Sequence, residues 1–203
     1  PKTTEDFFDT EKFPGKRGLR KRPQVNMEWA LLADGVAPEE VYEVLATEEG
    51  QAQAFAKLDT IKDEITWYDS WSQAPVLLND GGATMVQSAN GRIFAAIKDD
   101  GAPFEIVWDS HIYDLDVWAI MKGTEKKEEA MEFIKFATGT VPLSGMQDVA
   151  YGPTRASAQA LLPEEVKKDL PTAHLDEGVK ADGIFWADYG ESLGEKFNEW
   201  LLQ

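Results

Sequence analysis

At 203 residues with 43% hydrophobic side chains, the chain is long enough to bury a sizeable core, and no apolar run approaches the length needed to cross a bilayer. Thirty-seven acidic against twenty basic residues give a formal charge of −17, which argues against nucleic acid or an anionic membrane surface as partner and fits either a solvated surface or a field that gathers cations. Zero cysteines exclude disulfides, thiolate metal sites and cysteine nucleophiles, and the two histidines, His111 and His174, leave little material for a zinc site or a catalytic triad.

The first feature in chain order is a basic run, Lys16, Arg17, Arg20, Lys21 and Arg22, flanked by Pro14, Gly15 and Pro23. It reads as an anion-binding patch or, more simply, as cations decorating an exposed short strand. Helical periodicity follows over 24–34, where Met27, Ala30 and Leu31 share a face and Gly35 supplies a stop. Pro38 opens a second helix with Val41, Val44 and Leu45 as its buried stripe, and a third is expected over 49–64 with Phe55, Leu58 and Ile61 facing a core.

The β-prone Ile65 to Tyr68 comes next, then a short helix over 74–79, a strand over 83–87, a helix over 91–98 and a strand over 104–108. Val117 to Met121 is near-continuously apolar, the pattern of a strand buried on both faces. This alternation predicts an α/β fold with a largely parallel sheet. Beyond Gly123 the pattern is helical. A helix over 126–138 has Ala130, Phe133, Ile134 and Ala137 on one face, shorter helices follow near 143–149, 155–162 and 163–170, and a last one spans 186–202.

Three tracts carry candidate chemistry. Trp67 to Gln73 places two indoles and a phenol at a strand-to-helix junction, where Trp71 either lines a cleft or packs in a core. Ser88-Ala89-Asn90-Gly91-Arg92 opens a helix after a strand, so that Asn90 and the backbone N–H groups face the same rim as Arg92, whose fork matches a carboxylate unless it is only a surface cation. Asp114 and Asp116 fall on one side of an extended segment beside Tyr113. They suit an ammonium, or a general acid and base, although no nucleophile motif, phosphate loop or metal spacing accompanies them.

In their order along the chain, Phe13-Pro14-Gly15-Lys16-Arg17-Gly18, Leu77-Leu78-Asn79-Asp80-Gly81, Ser88-Ala89-Asn90-Gly91-Arg92-Ile93, Asp116-Val117-Trp118-Ala119-Ile120 and Ala150-Tyr151-Gly152-Pro153-Thr154-Arg155 resemble the extracellular solute-binding proteins of the spermidine/putrescine class, in the branch that also takes up small amino-carboxylates. The resemblance covers essentially the whole chain. It implies an incomplete type 2 periplasmic binding protein (Venus-flytrap) fold whose first-lobe opening segment would precede Pro1, with residues 1–114 as lobe two, 115–161 as a return into lobe one and 162–203 as lobe two again.

It further implies a periplasmic receptor, exported with a signal peptide in its precursor, that works without cofactor, metal or catalysis. Such a receptor holds a small ligand between two lobes, presents it to an ABC permease and is monomeric when full-length. The family's ligand contacts fall near Ala89 and Arg92, at Asp114 and Asp116, at Tyr151 and at Trp186. Where polyamine receptors offer acids, this chain has Arg22, Pro23, Gln24 and Val25, which turns the expected ligand from a di-cation toward a zwitterion such as a γ-aminobutyrate-like compound, with Arg92 on its carboxylate. A sensor or interaction module with the same fold, and an α/β enzyme using Asp114 and Asp116, are the competing readings.

Overall fold

The computed structural model describes residues 1–203 and divides into two compact units, one formed by residues 1–112 and 176–203 and the other by residues 113–175. The sequence placed these divisions after 114 and after 161. Residues 162–175 cluster with the second unit, where Leu162 and Leu170 are buried together with Ala158 and Ala150.

The first unit begins with helix α1 (Thr4–Phe8) and strand β1 (Arg17–Arg20), followed by α2 (Asn26–Ala33), α3 (Val41–Leu45) and α4 (Glu48–Asp59). Strand β2 (Ile65–Tyr68), α5 (Gln73–Asn79), β3 (Met85–Val86) and α6 (Asn90–Asp100) continue it. The three strands form a parallel sheet in the order β2-β1-β3, with Arg17 beside Ile65 and Met85, and Gly18 beside Thr66 and Val86. β2 and β3 are each reached through a helical crossover, as parallel pairing requires.

The basic run is therefore not the exposed strand expected of it, because its centre is the middle strand of the sheet. Arg17 and Leu19 are buried, Arg20 at the end of β1 reaches the rim, and Lys21 and Arg22 follow it exposed. A buried guanidinium must have every donor satisfied. Arg17 donates from Nε to the Phe7 carbonyl at 2.8 Å, from one terminal nitrogen to Gly15 O and from the other to Asp9 O at 3.1 Å. Burial pulls its pKa down while the charges of Glu64 and Asp9 act the other way. Arg17 thus ties the segment after α1 to the centre of the sheet.

After β4 (Ile112–Tyr113) the chain passes into the second unit, which holds α7 (Lys127–Ala137), α8 (Thr140–Ser144), α9 (Ala156–Gln159) and α10 (Glu164–Lys167). The strands expected over 104–108 and 117–121 do not form. Val117, Trp118 and Met121 are 83%, 58% and 79% exposed. A strand needs a neighbour to satisfy its backbone, and the second unit offers none. On α7 the expected stripe is only half-covered: Ala130, Ile134 and Ala137 are half-buried, while Phe133 and, off the stripe, Phe136 are exposed, with Trp118 edge-on to Phe133 at 5.3 Å.

The chain returns through β5 (Val179–Lys180), paired with β4, and ends in α11 (Gly183–Leu201). Asp182 caps α11 by accepting from the N–H groups of Ile184 and Phe185. Its stripe of Phe185, Leu193, Phe197 and Trp200 enters the core formed by Met27, Ala30, Leu31, Val41, Leu45, Ala54 and Leu58. Full burial of side chains such as Leu193 and Phe197 is worth about 1.5–3 kcal/mol each. Trp67 lies edge-on to Phe197 and Trp200, so of the two tryptophans in its tract this one packs against the core. No helix of the structure is long and apolar enough to cross a membrane.

Candidate functional site

In open parallel sheets ligands bind beyond the carboxyl ends of the strands. Here those ends are Arg20, Tyr68 and Val86, and a floor of neutral polar groups joins them. Gln87 N–H donates to Gly18 O at 2.8 Å and Lys21 N–H to Tyr68 O at 2.8 Å, extending the pairing past the strands. The Gln87 side chain donates to Asn26 Oδ1 at 2.7 Å and accepts from Arg20 N–H at 3.3 Å. Asn26 in turn donates to the carbonyls of Arg20 and Arg22, and the Tyr68 hydroxyl donates to Gln87 O. Asn26, Tyr68 and Gln87 are all buried, and burial pushes the Tyr68 hydroxyl well above its usual pKa. This lattice fixes the rim without adding charge.

Arg20 stands on that floor, half-buried. Its Nε donates to Asp69 O at 3.1 Å, and the guanidinium carbon lies 4.5 Å from the centroid of the Trp71 ring. Burial, and next the like charge of Arg22, draw its pKa down; Tyr68 and Asp69 oppose this. With one nitrogen committed and one face stacked, the fork is held in a single orientation, and no carboxylate is paired with it. A planar cation fixed in this way is suited to bidentate capture of a carboxylate. In the sequence Arg20 lies inside a run of five cations, and only strand register separates it from buried Arg17.

The expected site residues distribute as follows. Trp71 is half-buried at this rim, 6.2 Å from Tyr68 by ring centroids and stacked on Arg20. Asn90 and Arg92 occupy the first turn of α6, three and five residues beyond Gln87. Asn90 is half-buried, and Arg92 is exposed with no ion pair. Ala89 is the residue that precedes this helix, and its carbonyl accepts from the Arg92 N–H. Trp186, in the first turn of α11, points its indole N–H at Glu28 Oε1, 2.9 Å away, and is already engaged inside the first unit. Asp114, Asp116 and Tyr151 belong to the second unit, where all three are exposed. Asp114 Oδ1 accepts from Leu115 N–H at 2.7 Å, and Tyr151 follows Ala150, whose left-handed backbone ends the preceding turn.

Residues 1–172 match the family described as bacterial extracellular solute-binding protein. Over its whole length the chain is 45% identical to the gamma-aminobutyric acid-binding protein of Pseudomonas aeruginosa, of which it covers 58%. Among solved structures it is similar to the PBP MotA from A. tumefaciens B6 in complex with glucopine (TM-score 0.87, 32% identity, 99% of this chain and 64% of that one). It is similar also to an ABC transporter substrate-binding protein from Bradyrhizobium japonicum USDA 110 (TM-score 0.86, 30% identity, 99% and 63%). The chain thus spans about three fifths of the length of these relatives, and the match shows the family at large without singling out its spermidine/putrescine class.

Proposed function

This chain belongs to the bacterial extracellular solute-binding protein family, and we propose that it forms part of the periplasmic receptor of an ABC importer for a small amino-carboxylate, the γ-aminobutyrate type foremost. The observation that carries the ligand class is Arg20 stacked on Trp71 at the carboxyl edge of the sheet, its fork oriented and unpaired with any acid. A ligand bearing only ammonium groups meets repulsion from Arg20, Lys21 and Arg22, so the rim selects by rejection as well as attraction. The name of the Pseudomonas aeruginosa relative supports the same class. Arg92 and Asn90 extend the anion side, Asp114 and Asp116 are the proposed partners for the ammonium, and Tyr151 is a further proposed ligand contact. Binding of this kind needs shape, aromatic surface and placed charges but no proton transfer, and the protein acts as a receptor and not as an enzyme.

In the same reading the first unit is lobe two and residues 113–175 are the return into lobe one. The exposed Val117, Trp118, Met121, Phe133 and Phe136 are then the surface on which further lobe-one chain packs. The complete receptor is a monomer that offers both lobes to a membrane permease.

Calorimetry on the complete receptor with γ-aminobutyrate, putrescine and spermidine tests the proposal. Tight γ-aminobutyrate binding that weakens in Arg20→Ala at the carboxylate end, and in Asp114→Asn or Asp116→Asn at the amine end, is the expected result. Tight putrescine binding that survives Arg20→Ala and Arg92→Ala returns the protein to the polyamine receptors.

A further inference from the structure

Glu28 is a carboxylate with no exposed surface in the first turn of α2, surrounded by donors from three different parts of the first unit. Its Oε2 accepts from the Val25 N–H at 2.7 Å. Its Oε1 accepts from the Tyr42 hydroxyl of α3 at 3.1 Å and from the Trp186 indole of α11 at 2.9 Å. Buried charge without a counter-ion is costly, and a group in this position is kept only where its partners are well placed. Val25 adds a second observation. It is β-branched, yet its φ of 70° and ψ of −40° lie in a region such residues rarely enter, and the bond to Glu28 holds it there. Val25 ends the segment Lys21–Val25 that leads from the Arg20 rim into α2.

We propose that Glu28 is a proton-operated tie that fastens the rim segment 21–25 and the first turn of α11 to α2, loosening both as the carboxylate ionises. The three donors fit the ionised form, but complete burial opposes it more strongly, so the carboxyl is pushed up to about 7. No lysine, arginine or second carboxylate faces it. The one titratable neighbour is Tyr42, pushed above its usual range by burial and next by Glu28 itself. The backbone of Asp182, ahead of α11, and the Trp186 indole act the other way on Tyr42.

Of the three partners only the Tyr42 hydroxyl can also accept. In the protonated form Glu28 donates to Tyr42, while Val25 and Trp186 continue to donate to Glu28. The sign follows from linkage. A carboxyl whose pKa is higher in the closed arrangement than in water binds its proton more tightly when closed. Closure is therefore strongest below about 4.5, weakens as pH rises toward about 7, and is level above that.

The test is an NMR titration of the intact protein from about pH 5 to about pH 9, following the Trp186 indole N–H and the Val25 amide N–H. Both signals are expected to shift with a common midpoint near 7, and their protection factors to fall through the same interval. Glu28→Gln should flatten both curves. Trp186→Phe removes a donor that favours ionisation and should move the Val25 midpoint upward, which keeps the proposal testable if the glutamine variant fails to fold. Signals flat across the range in the unmodified protein, or titrating unchanged in Glu28→Gln, overturn it. Neither readout involves the transported ligand, so the outcome is independent of the receptor proposal.

Discussion

The guanidinium of Arg20, the last residue of β1, and the indole of Trp71, in the loop after β2, stack with the guanidinium carbon 4.5 Å from the ring centroid. Adjacent parallel strands in register bring the two strand ends side by side, so the pair is a consequence of sheet order. Each side chain restrains the other, and this pre-organises the fork before any ligand arrives.

Replacing Arg20 by alanine in the complete receptor should weaken an amino-carboxylate ligand by about 2–5 kcal/mol, the range for removing one partner of a buried charged pair. Trp71→Ala should cost less, about 0.5–2 kcal/mol, because it removes the stack and leaves the charge. Arg92→Ala, measured beside them, ranks the two cations. Calorimetry gives the affinities, and equal loss for a ligand without a carboxylate would assign the effect to general disruption of the rim.

Arg17→Met should destabilise the fold by about 3 kcal/mol or more. It removes donors from the carbonyls of Phe7, Gly15 and Asp9, and hydrogen bonds from a charged group are worth about 1.5–3 kcal/mol each. Urea unfolding measures the loss. A midpoint unchanged from the parent would mean that the guanidinium's desolvation cancels its bonds.

Two glycines should respond to alanine with opposite signs. At Gly50 a Cβ would run into the carbonyl of Val44, so Gly50→Ala should lower stability by about 1–3 kcal/mol despite alanine's better helix propensity. At Gly194, inside α11 with nothing near the added methyl, Gly194→Ala should raise it by about 0.5–1 kcal/mol. Thermal unfolding of both variants reads the pair of signs.

The 203-residue chain by itself should bind an apolar dye through the second unit, where Trp118, Phe133 and Phe136 are exposed. Trp118→Ser combined with Phe136→Ser should cut that fluorescence severalfold while leaving the unfolding of the first unit in place. Undiminished dye binding would locate the sticky surface elsewhere.

Much of this was legible along the chain. The alternation of strands and helices through Lys98 reports contacts between near neighbours, which periodicity encodes directly. The helices at 26–33, 73–79, 90–100, 127–137 and 183–201 and the strand at 65–68 accordingly lie close to where the pattern put them. The ordered motifs led to the solute-binding family, and the residue matches support it. Trp71, Asn90 and Arg92 could be placed after strand ends from sequence because strand-to-helix junctions mark one edge of a parallel sheet whatever the packing.

Only the tertiary structure distinguished residues that look alike in sequence. Arg17 and Arg20 share one basic run, but three backbone carbonyls enclose the first while Trp71 presents the second. Trp67 and Trp71 share one aromatic tract, but the first meets α11 and the second meets the rim. Val117 to Met121 has the composition of a buried strand and no strand beside it in its unit, so it lies open. Glu28 reads as an ordinary first-turn acid until Tyr42 and Trp186 close over it. Periodicity records what a segment prefers, whereas burial, strand pairing and the pKa of an enclosed group depend on side chains brought from far along the chain, and those are set only when the elements pack.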